Sequence, residues 1–184
     1  MDEILDYNDI NKYIEIVGKT NIGLIENIIP DFLSIGNIRF IFAQLLKEKI
    51  SLKDIVYIFE KLNDHADEEN REDILMNLRI SLSRQICNSI ADNNKTIFAL
   101  ELSDKIVEKF EDMFSNEDDV ISVDVNIVQK LIKQLKKILQ ETSANIENVA
   151  LVVPKEIRHV LFSILEDYVP GLSFIAKEEI SKDF

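Results

Sequence analysis

The order of apolar residues predicts an α + α/β fold: an all-helical subdomain, then a small α/β subdomain with a short three-stranded sheet in the order strand, helix, helix, strand, helix, strand. Three observations predict it. Apolar residues recur at three- and four-residue spacing as far as Ile90, which is the period of one helix face. After the turn-like Asp92-Asn93-Asn94 the pattern changes to short continuous apolar runs, Thr96 to Leu102 and Asn148 to Val153, which have the character of strands. Helical stripes separate these runs, so the sheet is built with crossover connections. The change of period puts the all-helical part over residues 29–92 and the α/β part over residues 93–184.

The first amphipathic helix spans Asn8 to Val17, with Ile10, Tyr13, Ile14 and Val17 on one face. Ser34 is a good N-cap, since its hydroxyl can accept from an unpaired amide of the first turn. From there Ile35, Ile38, Ile41, Phe42, Leu45 and Leu46 make one apolar face. Ser51 and Asp54 resemble a capping box with Asp in place of Glu, ahead of Ile55, Ile58, Phe59 and Leu62. After the polar stretch Asn63 to Asn70, the stripe Ile74, Leu75, Leu78, Leu82, Ile86 and Ile90 predicts one helix longer than three turns.

In the second part Thr96 to Leu102 reads as a buried strand, and Ser103 caps a helix carrying Ile106, Val107, Phe110 and Phe114. The loop Ser115 to Asp119 and the residues Val120 to Val123 lead to a helix with Asp124 as N-cap. Its stripe is Ile127, Val128, Leu131, Ile132, Leu135, Ile138 and Leu139. Asn148 to Val153 has the β-branched run of a strand covered on both faces. Pro154 fits the first turn of the next helix, which buries Ile157, Val160, Leu161, Ile164 and Leu165 and ends before Pro170-Gly171. A last strand runs from Leu172 to Ile175 or on to Ile180.

Composition narrows the function. A chain of 184 residues with 46% hydrophobic residues, 4 Gly and 3 Pro should fold. A formal charge of -13 excludes general nucleic-acid binding and disfavours direct contact with an anionic membrane, leaving proteins as partners. No stretch approaches a bilayer span, and Met1-Asp2-Glu3 is unlike a signal peptide. Cys87 is the single cysteine, which rules out an internal disulfide and reads as a small half-buried hydrophobe. His65 and His159 lie far apart and form no metal-binding or triad pattern. The scattered Gly18, Gly23, Gly36 and Gly171 make no phosphate loop. No catalytic residue, cofactor or metal is expected.

Three segments carry more specific information: Ile29-Pro30-Asp31-Phe32-Leu33-Ser34-Ile35-Gly36, then Leu45 to Val56, then Arg79-Ile80-Ser81-Leu82-Ser83-Arg84-Gln85-Ile86. Together they resemble the FlhA/InvA (FHIPEP) export-gate family of flagellar and virulence type III secretion. There a Pro-Asp/Lys-Leu-Leu-Ser-Leu-Gly segment precedes a helix, a Leu-Leu then Val/Ile-Ser-Ile-Arg-Asp segment starts the next, and Arg-x-x-Leu-x-Arg-Gln-Ile closes the helical part. The family's C-terminal subdomain has a Val-Leu-Leu-Val strand, matched by Ala150 to Val153, then a helix with an early Arg, matched by Arg158. Its ending is matched by Leu172 to Ile180. Two positions depart from the pattern. Lys53 stands for the family's Arg and loses its fork geometry, and Ala176-Lys177 replace a Ser-Tyr pair. The likeness runs from about Ile4 to Ile180 and is strongest between Ile29 and Ile86.

The resemblance implies a non-enzymatic fragment of the cytoplasmic part of an export gate, on the cytoplasmic side of the bacterial inner membrane, in a flagellar rather than a virulence system. It implies a parent with a multi-helix membrane domain ahead of this region, a ring that is commonly a nonamer, and an internal or artificial start at Met1. The implied partners are neighbouring gate subunits, the stalk protein of the export ATPase, and export chaperones with their substrates. Residues 1–28 would close a preceding subdomain that this chain lacks. The apolar face of Asn8 to Val17 either packs on this chain or is partly orphaned, and orphaning would cause self-association.

Candidate subunit or partner contacts are Lys53, Asp54, Arg79 and Arg84 in the helical part, although Ser51 and Asp54 read first as caps and Arg79 as partner to a carboxylate. In the α/β part the candidates are Lys130, Lys133 and Lys137, which with Lys136 form a basic patch. Opposite in sign is the acidic stretch Glu101, Asp104, Glu108, Glu111, Asp112, Glu117, Asp118, Asp119 and Asp124. Each patch is either a solvated helix face or a docking surface for a charged partner. Two other classes remain: a stand-alone acidic adaptor, and a hydrolase using carboxylates such as Asp64, Glu68 or Glu178.

Overall fold

The computed structural model describes residues 5–68, 70–114, 124–142 and 144–184, and the chain divides into two compact units, Met1–Ile86 and Cys87–Phe184. The first unit is helical. Helix α1 (Tyr7–Thr20) begins in a capping box: the Asp6 carboxylate accepts from the Asp9 amide at 2.8 Å, and Asp9 accepts from the Asp6 amide at 3.3 Å. Ile10 and Val17 are buried, and the Tyr13 ring meets Phe42 edge-on at 6.0 Å. The apolar face of α1 therefore packs on its own unit and is not orphaned. Asn21 then ends α1 and caps α2 (Ile22–Ile28), a short helix absent from the sequence expectation. The Ile29–Pro30 peptide is cis.

Helix α3 (Ile35–Lys47) is capped by Ser34 as expected, its hydroxyl accepting from the Asn37 amide at 3.1 Å. It stops in a Schellman turn, with the Ile50 amide on the Leu45 carbonyl, the Lys49 amide on the Leu46 carbonyl, and Lys49 itself at φ 60. A glycine is usual at that left-handed position. Here the buried apolar pair Leu45 and Ile50 supplies the contact that accompanies the motif. Helix α4 (Ile55–Asp64) buries the four residues of its stripe, and Phe42 and Phe59 meet edge-on at 5.5 Å, a geometry worth about 0.5–1.5 kcal/mol beyond area burial. The expected capping box is not formed. Asp54 is the N-cap residue but makes no side-chain cap bond, and the Ser51 hydroxyl accepts from the Lys53 amide at 3.2 Å, closing a local turn.

The single long helix expected over the next stripe is two helices, α5 (Arg71–Ser81) and α6 (Ser83–Ile90), meeting at Leu82. The Ser81 carbonyl accepts from the Tyr57 hydroxyl at 3.4 Å, and the Ser81 hydroxyl bonds His65 Nε2 at 3.1 Å. Of these two, the Tyr57 hydroxyl meets a backbone carbonyl, a kind of contact that accompanies helix breaks.

The second unit is a three-stranded parallel sheet with helices. Its strands are β1 (Phe98–Glu101), β2 (Val149–Val153) and β3 (Ser173–Ala176), in the order β1-β2-β3. Phe98 aligns with Val149 across the first pair, and Ala150 with Ser173 across the second. Helices α7 (Asp104–Phe114) and α8 (Val125–Glu141) connect β1 to β2, and α9 (Lys155–Leu165) connects β2 to β3. The turn before β1 is held by the Asp92 carboxylate, which accepts from the amides of Asn94 and Thr96. Asp124 caps α8 as expected, accepting from the Asn126 amide at 2.8 Å. The Phe114 side chain, Ser115 to Asp119 and Val120 to Val123 lie outside the described residues.

All five residues of β2 are buried, as its β-branched run requires. The first strand is the reverse of what was expected: it is an edge strand, largely exposed, with Phe98 44% exposed. Its apolar composition looks like that of a central strand, and only its place in the sheet distinguishes the two. Pro154 is the N-cap of α9, one residue ahead of the expected first-turn position. On α9, Arg158 and Phe162 are buried where Val160 and Ile164 are only half-buried. The last strand ends at Ala176, because Lys177–Glu179 turns into a short 3-10 helix.

Glycine positions supply a test with two signs. Gly171 has φ +91, and a Cβ there would lie 3.3 Å from Ile146 Cγ2. Gly171→Ala should cost about 1 kcal/mol or more, whereas Gly18→Ala, inside α1 with its new Cβ at an ordinary 3.5 Å from Ile22, should gain about 0.5–1 kcal/mol. Chemical denaturation of the two variants reads both signs.

Candidate functional site

In the first unit, the Schellman turn delivers the chain to Ile50 and Leu52, both buried, so Ser51 between them and Lys53 and Asp54 after them face solvent. Gln85 of α6 donates from Nε2 to the Ser51 carbonyl at 2.8 Å across 34 residues of sequence. That bond joins two of the three sequence motifs. Ser51, Lys53, Asp54 and Gln85 line an open hollow of ≈ 470 Å³. Lys53 and Asp54 are therefore brought together on an exposed rim, with Arg84 exposed on α6.

Arg79 is placed elsewhere. It is 1% exposed, and its guanidinium lies 2.9 Å from the Glu48 carboxylate, whose side chain is 5% exposed. A side chain so enclosed offers no surface to a partner, so Arg79 drops out of the contact candidates and serves the core. Glu48 was not anticipated, and the charge run Lys47-Glu48-Lys49 gives no sign of its burial. The left-handed turn at Lys49 accounts for it, since α3 ends there.

In the second unit Lys130, Lys133, Lys136 and Lys137 are all exposed on α8. Lys133, Lys136 and Lys137 line an open hollow of ≈ 520 Å³ with Gln129, Ile132, Gln140 and Tyr168; Lys130 lies outside it. Tyr168, 51% exposed, comes from the turn after α9 and carried no sequence signal. Within α8, Ile138 is 44% exposed and not part of the buried stripe. Of the acidic stretch, Glu101, Asp104, Glu108, Glu111 and Asp112 are exposed, Asp124 serves as a cap, and Glu117, Asp118 and Asp119 lie outside the described residues.

The chain's ending is held by a buried polar group. Arg158, 1% exposed, places Nε 3.9 Å from Glu179 Oε2 and donates to the Phe174 carbonyl at 3.4 Å. The Glu179 carboxylate also accepts from the Ala176 amide. Cys87 donates to the Glu179 carbonyl at 3.3 Å and accepts from the Ser181 amide at 3.4 Å. Burial pushes the Cys87 thiol up, with the Ser181 hydrogen bond opposing. A buried thiol raised in this way is a poor nucleophile.

The carboxylates considered for hydrolysis are ordinary. The Lys61 ammonium, hydrogen-bonded to Asp64 at 2.8 Å, holds that carboxyl below its usual range, the opposite of what a general acid needs. Glu68 accepts from Asn77 Nδ2, and Glu178 is exposed. Among the described residues no group of three or more His, Cys, Asp or Glu could hold a metal ion, and no helix is long and apolar enough to cross a membrane. Each unit, taken by itself, presents exposed charge of a kind that can meet a protein surface.

Comparison with known proteins agrees with the motifs. The sequence model of the FHIPEP family matches residues 1–184. The flagellar biosynthesis protein FlhA of Bacillus subtilis (strain 168) is 27% identical over 160 residues, covering 85% of this chain and 24% of that protein. The chain spans about a quarter of the length of the curated relatives it matches. Among solved structures, the Chlamydia pneumoniae CdsV and CdsO protein complex aligns with a TM-score of 0.88 at 20% identity, over 99% of this chain and 53% of that one. Nonameric EPEC SctV-C aligns with a TM-score of 0.84 at 18% identity, over 99% and 55%. The shared fold thus extends over both units.

Arg79 permits a test that separates structure from contact. Arg79→Ala removes the guanidinium that faces the buried Glu48 carboxylate and should cost about 3–5 kcal/mol, while Arg79→Met combined with Glu48→Leu should be near neutral or stabilising. Urea denaturation of the single and double variants measures the difference.

Proposed function

The chain belongs to the FHIPEP family, and we propose that it is a non-enzymatic piece of the cytoplasmic part of a type III protein export gate, serving as a ring-forming and docking platform. The observation that carries this reading is the extent of the family match, residues 1–184. The curated relatives are flagellar proteins, which favours a flagellar system. In this reading residues 1–28 close a preceding subdomain, residues 29–92 form the ring-forming helical subdomain and residues 93–184 the C-terminal α/β subdomain. The parent protein sits at the cytoplasmic side of the bacterial inner membrane and forms a ring, as the nonameric state of EPEC SctV-C supports. Its partners are neighbouring subunits, the export ATPase stalk protein and chaperones with their substrates. That CdsV is found with CdsO supports a protein partner for this fold.

Within that platform, the Lys53, Asp54 and Arg84 surface is the candidate subunit contact, and Lys130, Lys133 and Lys137 are the candidate partner contact. Opposed charge steers encounter more than it adds affinity. Steering by exposed charge is screened beyond about 8 Å at physiological ionic strength.

Two measurements test the reading. Light scattering of this chain alone should find a monomer or weak self-association, because the membrane domain of the parent raises local concentration; a tight closed nonamer at micromolar protein would contradict it. Changing Lys130, Lys133 and Lys137 to Glu should slow association of the assembled ring with the stalk protein at low salt and leave the fold intact. An unchanged rate would make these lysines ordinary solvated residues.

A further inference from the structure

The α8 hollow runs along one face of the helix. Gln129, Lys133, Lys136 and Gln140 line it at successive spacings of four, three and four residues, so they form one straight stripe along the helix. At a rise of about 1.5 Å per residue the stripe is about 16 Å long, or three turns. This is one face of α8, and a partner helix laid along it, with the same rise, keeps step with it over three turns. Ile132, the Tyr168 ring and the lysine stems give the hollow apolar walls.

Charge decides the chemistry of that helix. Three lysines line the hollow and no carboxylate does. Among the described residues the ion pair these lysines make is Lys137 with Glu141, at a long 3.8 Å and with both side chains well exposed; Lys133 and Lys136 have none. In a chain of net charge -13 this is a local reversal of sign, suited to an acidic ligand and repelling a basic one.

We propose that the stripe Gln129, Lys133, Lys136 and Gln140, bounded by Tyr168, docks an acidic α-helix of a partner protein, with carboxylates opposite Lys133 and Lys136 and an apolar side chain against Tyr168 and Ile132. The proposal rests on the reading of this unit as a docking platform and names the class of partner it takes.

The test uses the full chain and three labelled peptides of about 20 residues, long enough to hold helix. One carries Glu at the four-three-four spacing with one Leu on the same face. The second carries Lys at those positions. The third has the composition of the first in scrambled order, so that its charge is the same but its stripe is lost. Fluorescence anisotropy at about 50 mM and about 300 mM salt, on either side of the screening range, reads affinity. The first peptide should bind at least tenfold tighter than the other two, weaken at the higher salt, and lose at least tenfold affinity to the Lys133→Glu/Lys136→Glu variant. Tyr168→Ala should weaken it severalfold at both salts. A Lys105→Glu/Lys109→Glu variant on α7 changes net charge equally and should leave binding unaltered.

Equal binding of the ordered and scrambled acidic peptides, no binding of either, or indifference to the α8 double variant would each overturn the proposal. If the peptides fail and the assembled ring still captures the stalk protein, the groove is wrong and the gate reading stands. If the first peptide binds as described and the ring captures no stalk protein, the stalk assignment falls and the groove stands.

Discussion

A guanidinium removed from water must be met by a carboxylate, and each unit of this chain is organised around one such meeting. In the first, Arg79 near the end of α5 finds Glu48 at the end of α3 at 2.9 Å. In the second, Arg158 on α9 lies against Glu179 in the 3-10 turn after β3. Buried pairs of this kind add little net stability, but removing one member leaves the other's charge buried without its counter-charge, which is costly. Their effect is to fix geometry. Glu48 can be in place only if α3 stops in its left-handed turn at Lys49, and that stop brings Ser51 within reach of Gln85. Glu179 can be in place only if β3 ends at Ala176, whose amide its carboxylate also accepts from.

The candidate surfaces follow from these fixed points. The exposed Lys53 and Asp54 stand on a segment held from below by Ile50 and Leu52 and from the side by Gln85. The lysines of α8 stand on a helix whose other face is fixed by Val128, Leu131 and Leu135 in the core. In both places exposed charged ends rise from backbone held by buried side chains, so complementarity to a partner costs little ordering of the main chain.

The substitutions that set this chain apart from its family's pattern fall where the structure tolerates them. Lys53 is exposed, so the loss of a forked guanidinium changes a surface and not a core. Ala176 is fully buried in β3 and takes part through its backbone amide, while Lys177 is exposed. The positions that hold the ending, Arg158 and Glu179, keep the residues the pattern calls for.

What the sequence determined by itself was local. The helical periods, the Ser34 and Asp124 caps, the fully buried β2 and the strand and helix order were legible, because each rests on interactions within about four residues or on a run of one residue class. The motifs that carry the family likeness were legible for the same reason, as ordered strings. Tertiary structure alone decided the rest. At the break beside Leu82 the Ser81 carbonyl meets Tyr57, 24 residues away, and the Ser51 carbonyl is bonded by Gln85, 34 residues away. The exposure of β1 depends on its place at the edge of the sheet, with β2 between it and β3. That Arg79 meets a carboxylate was legible, but which one, and the burial of Arg79 and Arg158, were settled by carboxylates distant in sequence that lie opposite them. The hollow on α8 needed Tyr168 from the turn after the following helix. A periodic pattern says which face of a helix is apolar, but what stands opposite its polar face is set by packing, which is a property of the whole chain.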